Sequence, residues 1–231
     1  MCGIAGKVIF GSNVIKQNDL ISMASILAHR GPDYQGVYLS GNQKVGFINR
    51  RLSIQDVSSK GHMPMSYKDK LIITSNGEIY NFKEERKKLE RMGYKFNGHS
   101  DTEVLLKLYD RYGINCLNHL RGMFAFAIYD VDMQILFLAR DRIGKKPLKY
   151  YYDGNIFIFA SELKAILTQP EVKREVDYPA IYDYLTLGYI LPPQTGFKNI
   201  CKLDPGNYLI LDIKNNKLTK KCYWKPDFSN S

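Results

Sequence analysis

No stretch of the 231-residue chain approaches the roughly 18 consecutive apolar residues of a membrane-spanning helix. The longest apolar runs, MFAFAIY and ILFLA, have the length of strands. The N-terminus lacks the basic-then-apolar layout of a secretory signal, so a cytoplasmic location is expected, with no membrane partner. Cysteine is scarce and scattered. Cys2, Cys116, Cys201 and Cys222 form no C-x-x-C pair, and none of the four histidines stands at ligand spacing. That argues against a metal site and a disulfide framework, and for reduced thiols. Zinc-finger, RRM-like and Walker-type GxxxxGK[ST] signatures are missing. So are repeats, low-complexity segments and the strict strand–helix alternation of a parallel sheet.

What is present suits a globular chain. With 45% hydrophobic and 24% charged residues it can bury a core, and its length allows one large or two small domains. The net charge of +10, taken alone, suggests nucleic acid or an anionic surface. The basic residues, however, are spread along the whole chain. KEERKKLERMGYK (Lys83 to Lys95) mixes signs as a solvated helix face does, and KNNKLTKKCYWK (Lys214 to Lys225) surrounds a turn predicted at Asn215-Asn216. A nucleic-acid partner is therefore not expected.

The pattern predicts strands at GIAGKVIF, GVYLS, KVGFIN and LIITSN, and a helix over NDLISMASILAHR capped by Asn18 or Asp19, with Leu20, Ala24, Leu27 and Ala28 on one face. FKEERKKLERMG reads as a polar amphipathic helix ended by Gly93. SDTEVLLKLYDRYG reads as a helix opened by a capping box of Ser100 and Glu103. Hairpins are predicted across VDMQ, across Asp153-Gly154 and within GNYLILDIKNNKLTKKCYW. ELKAIL and PAIYDYLTLGY read as short helices, the second with Pro179 at its start. Hairpins dominate, so the predicted class is α+β, with antiparallel sheets covered by helices.

Cys2 raises the chemical question. Methionine before a small residue is commonly trimmed, which would leave a thiol and a free α-amino group on one residue. An ordinary buried cysteine in a first strand is the bland alternative. Three polar clusters accompany it: RRLSIQD (Arg50 to Asp56), SNGEIYN (Ser75 to Asn81) and GHSDTE (Gly98 to Glu103). Each is expected at a strand end or helix start, where loops converge. Taken singly, Arg51 reads as a surface arginine, Asn76-Gly77 as a turn, and Ser100, Asp101 and Glu103 as a helix cap.

Taken together, MCGIAG, HRGPDYQG, RRLSIQD, NGEIYN, HSDTE, GMFAFAIYD, RDRIGKKPL and FASELKAIL resemble, in order, the glutaminase domain of asparagine synthetase. That domain is a class II glutamine amidotransferase of the N-terminal-nucleophile hydrolase type. The resemblance implies a four-layer α/β/β/α sandwich of two antiparallel sheets over residues 2–224, with 225–231 as a tail or the start of a linker. It implies L-glutamine as substrate and Cys2 as nucleophile. A thiol, with a pKa near 8.5, beside an amine of about 7.7–8.0 can pass its proton to that amine, so no catalytic histidine is required. His29 and His99 are expected to be structural or solvent-facing. Asn76 and Gly77 are implied as the oxyanion hole. Arg51 would take the glutamine carboxylate and Asp101 its amino group, with Glu78 in the same pocket and Leu52, Ser53, Ile54 and Gln55 lining it. Arg30 would shape the site.

Two local departures from the family pattern, the extra lysines of GKKPLKYYY and Asn49 where histidine is common, avoid these residues. A larger one is the lack of an SGGxDS pyrophosphate loop. No metal or cofactor is expected in this chain; ATP and magnesium would belong to a separate synthetase domain or ammonia-accepting partner. The competing readings are a non-enzymatic remnant or binding module with the same fold, a basic nucleic-acid binder, and an ammonia donor for another amidation.

Overall fold

A computed structural model describes residues 1–229. Asn230 and Ser231, the end of the expected 225–231 tail, lie outside the described residues. In chain order the elements are β1 (Gly3–Ile9), α1 (Gln17–Ile26), β2 (Tyr34–Leu39), β3 (Val45–Arg51), β4 (Met65–Tyr67), β5 (Leu71–Ile79), α2 (Phe82–Arg91) and α3 (Asp101–Tyr112). There follow β6 (Gly122–Asp130), β7 (Ile135–Arg140), β8 (Lys149–Tyr152), β9 (Ile156–Ala160), α4 (Leu163–Ile166), α5 (Tyr178–Leu187), β10 (Ile200–Lys202), β11 (Asn207–Asp212) and β12 (Lys217–Cys222). The three predicted hairpins are β6–β7, β8–β9 and β11–β12, each paired antiparallel. No helix among the described residues is long and apolar enough to cross a membrane.

The chain forms two compact units. The first comprises Met1–Ser53 and Pro147–Asp204. Its sheet runs β10-β8-β9-β1-β3-β2, antiparallel throughout, with β1 interior. α1 turns Leu20, Met23 and Ala24 into a cluster with Ala5, Ile48 and Ile158. The fully buried Leu20 alone contributes about 2 kcal/mol. The expected cap is displaced: α1 starts at Gln17, and Asp19 sits inside the first turn, its Oδ2 accepting from the Lys16 amide at 3.3 Å. There Asp19 also meets Lys7, a fully buried lysine of β1. Lys7 Nζ reaches Asp19 Oδ2 at 3.2 Å, Gln169 Oε1 at 3.1 Å and Glu171 Oε1 at 2.7 Å. α5 buries only Ala180, while Tyr178, Tyr182 and Leu185 face outward.

The second unit comprises Ile54–Lys146 and the chain from Pro205 onward. Its antiparallel sheet runs β12-β11-β7-β6-β5-β4. α3 packs Val104, Leu105 and Leu108 with Ile73, Phe126 and Phe137. The Ser100 hydroxyl caps α3 by accepting from the Glu103 amide at 3.2 Å. Only this half of the expected capping box forms as drawn. The Glu103 carboxylate instead takes the Asn97 and Gly98 amides, at 2.8 and 2.9 Å.

Candidate active site

In the first unit, β1 lies between β9 and β3, so the residue just before it is held by sheet pairing on both sides. Gly3 is in register with Arg50, and Ile4 exchanges hydrogen bonds with Ser161. Cys2 is partly exposed. The Leu52 amide donates to its Sγ at 3.4 Å, and the Leu52 carbonyl lies 3.7 Å from the same sulfur. An N–H aimed at sulfur favours the thiolate. Arg30 fixes the residue's main chain: its Nε donates to the Cys2 carbonyl at 3.0 Å and its Nη1 to Glu162 at 2.9 Å. Burial works to raise the Glu162 carboxyl, but hydrogen bonds from Arg30, His29 and Lys164 outweigh it and hold the pKa at about 2. His29 is thus structural, paired with Glu162 at 2.9 Å. Arg51 ends β3 and is only 3% exposed, which excludes the surface-arginine alternative. Leu52 and Ser53 follow, half-buried, and the Ser53 amide donates to Asp33 Oδ2 at 2.8 Å.

In the second unit, Asn76, Gly77 and Glu78 do not form the expected loop or a turn. They lie inside β5, opposite Ala125, Phe124 and Met123 of β6. Gly77 has a steric reason to be glycine, since a Cβ there would stand 2.2 Å from the Met123 carbonyl oxygen. Asn76 is buried, and its Nδ2 has no hydrogen-bond partner among the described residues. A buried donor left unmet costs about 1–3 kcal/mol, so this one stands ready for an acceptor from outside the fold. Asp101, the first residue of α3, is buried, and its Oδ2 accepts from the Ile79 amide at 2.8 Å. Burial raises its pKa, against the pull of the Ile79 and Thr102 amides. Glu78 is also raised, by burial and then by the charge of Asp101, while Lys146 and a hydrogen bond from Gln55 work to lower it. Ile54 is 62% exposed.

Of the expected residues, the structure thus gathers Cys2 with Leu52 in one unit, and Gln55, Glu78 and Asp101 in the other. Glu162 and Lys146 were not foreseen. Both stand in motifs that the sequence marks, FASELKAIL and RDRIGKKPL, but a glutamate before a helix and a lysine in a loop look like surface residues. Cys116 and Cys222 sit in different settings. Cys116 is buried with its thiol pKa pushed far up by desolvation, and the exposed Cys222 donates to the Trp224 carbonyl.

Residues 1–224 match the model of the glutamine amidotransferase domain family. The chain is similar to the putative asparagine synthetase [glutamine-hydrolyzing] 2 of Methanocaldococcus jannaschii, with 40% identity over 99% of this chain and 47% of that protein. It is 41% identical to asparagine synthetase [glutamine-hydrolyzing] 3 of Bacillus subtilis, over 97% of this chain and 36% of that protein. The chain therefore spans less than half the length of either relative. Among solved structures, the glutamine phosphoribosylpyrophosphate amidotransferase of B. subtilis superposes with a TM-score of 0.66 at 21% identity. That match covers 97% of this chain and 50% of that one, and the likeness is one of fold. By the family match over residues 1–224, and by relatives at about two-fifths identity, this chain belongs to the glutamine amidotransferase domain family.

Proposed function

We propose that residues 2–224 hydrolyse L-glutamine to glutamate and ammonia through a thioester on Cys2. The observation that carries this reading is the buried, unpartnered Asn76 Nδ2 beside a glycine that cannot be replaced without a clash. Once Met1 is removed, the α-amine of Cys2 takes the thiol proton as Sγ attacks the glutamine side-chain carbonyl carbon. Asn76 Nδ2 and the Gly77 amide receive the oxyanion, which either donor stabilises by about 3–4 kcal/mol. The C–N bond then breaks, and the α-ammonium proton leaves with the nitrogen as ammonia. Water attacks the thioester, glutamate departs and the thiol is restored. Arg51 pairs with the substrate carboxylate, and the carboxylates of Asp101 and Glu78 pair with its ammonium. The remnant or binding-module reading gives no reason to keep an unmet buried donor.

The ammonia acceptor belongs to the proposal as well. The names of the relatives favour aspartate, amidated by an ATP- and magnesium-dependent synthetase domain or partner. The groups the proposed reaction uses are this chain's own side chains, the Cys2 α-amine, the Gly77 amide and water. A cytoplasmic setting suits it, because an oxidising compartment would threaten the nucleophile.

The test supplies the purified chain, its removal of Met1 verified by intact mass, with glutamine, aspartate, ATP and magnesium. Glutamate and ammonia without asparagine are expected. Asparagine and AMP formed at the rate of glutamate would show an ATP site within this chain, and no glutamate would overturn the reading.

A further inference from the structure

We propose that Asp56 is a positioning residue for glutamine, whose carboxylate clasps the loop carrying Gln55 to the loop that leads into Asp101. The inference rests on the glutaminase reading above. From Ile54 to Lys60 every residue is exposed except the half-buried Asp56. The flanking apolar side chains do not anchor this segment, since Ile54 is 62% and Val57 76% exposed. Asp56 does the anchoring. Its Oδ2 accepts from the His99 amide at 2.6 Å and its Oδ1 from the Ser58 hydroxyl at 2.5 Å.

Three further observations show a fitted arrangement. Asp56 adopts a left-handed φ of 48°, an uncommon conformation for a residue with a side chain. Gly98 is buried, and a Cβ there would stand 2.6 Å from Asp56 Oδ2, so the carboxylate has room only because residue 98 is glycine. The amides of Asn97 and Gly98 go to Glu103 and that of His99 to Asp56, so three consecutive donors are held by two carboxylates. The functional groups flank this clasp. One residue before Asp56, the Gln55 side chain is hydrogen-bonded to Glu78; two residues after His99 comes Asp101. The His99 amide and the Ser58 hydroxyl also hold the Asp56 carboxyl below its ordinary range, so it is ionised at neutral pH and its bonds are charge-assisted.

The test compares wild type, Asp56→Asn and Gly98→Ala, each lacking Met1, in two assays: steady-state glutamine hydrolysis, and alkylation of Cys2 by iodoacetamide, which carries no amino-acid moiety. Peptide mapping separates Cys2 from the exposed Cys222, which serves as an internal reference. The two variants disturb the clasp from opposite sides, so one stands if the other fails to fold. Each should raise KM for glutamine about tenfold, the loss of a charge-assisted bond, with kcat within about twofold. The rate of Cys2 alkylation should not change. An unchanged KM in an active protein would overturn the clasp and leave the glutaminase reading intact. So would a fall in kcat or in Cys2 alkylation that matches the change in KM, because that marks a general structural loss. A wild type that hydrolyses no glutamine overturns the glutaminase reading, and this inference with it.

Discussion

At the scale of single residues, the informative groups are those to which the proposed function gives a ligand. Asn76 is one. If its Nδ2 serves the oxyanion, Asn76→Ala should lower kcat about 10²-fold and leave KM within a few-fold, because the donor strengthens as charge forms. Ammonia release measures both, and a rise in KM alone would assign Asn76 to ground-state binding. Glu78 and Asp101 are the others, two carboxyls raised mainly by burial. An ammonium binds their ionised forms. Affinity must therefore fall as pH drops through their folded pKa values, which lie above those of ordinary carboxyls. The KM for glutamine should climb on the acid side at a higher pH than an exposed aspartate would dictate, and Glu78→Gln should change that limb. A KM flat down to the ordinary carboxyl range would remove both from ammonium binding. The residue types and positions were legible in the sequence. The burial of Arg51 was not, since no local pattern at the end of β3 marks it.

At the scale of elements, hairpins and helices were readable because turn pairs and apolar spacing are local signals. Asp153-Gly154 and VDMQ mark their hairpins, and Ser100 marks the start of α3. Three features were not readable, because each is decided by a partner that the local pattern does not name. The helix starts at Gln17, so Asp19 takes the Lys16 amide from inside the first turn while also meeting Lys7, β6 draws Asn76-Gly77-Glu78 into a strand, and the 97–98 amides claim Glu103. Glu103 also meets the nearly buried Lys107 at 2.5 Å. Burial raises its carboxyl, but Lys107 and the two amides more than offset this and leave the pKa lowered. The unfolded chain therefore holds the proton more readily, and stability contributed by Glu103 is present above the ordinary glutamate value and lost as pH falls through the folded one. Glu103→Gln leaves the buried Lys107 ammonium with the Lys95 carbonyl but without its counter-charge, and should cost about 3 kcal/mol at neutral pH, read from urea midpoints. The gap between variant and wild type should close on acidification. A gap independent of pH would mean that packing, not charge, explains the loss.

At the scale of the whole chain, two six-stranded antiparallel sheets come from segments that interleave in sequence, with the first unit built from both the start and the latter part of the chain. The class and the sheet type followed from hairpins, but the interleaving has no local signature, because only long-range pairing such as β1 with β9 creates it. That pairing also sets the residue before β1 among groups from far along the chain: Leu52 at its sulfur and Arg30 at its carbonyl, with Glu162 behind the arginine. The central claim is that this residue, Cys2, is the nucleophile once its amine is free. A glutamine-like diazoketone, added at stoichiometric amounts to protein lacking Met1 and followed by intact mass and peptide mapping, tests it most directly. The account predicts one adduct, on Cys2 alone, with complete loss of glutamine hydrolysis, and no adduct when Met1 is retained. An adduct on Cys222 or Cys201 with Cys2 untouched, or full hydrolysis surviving in the labelled protein, would contradict it.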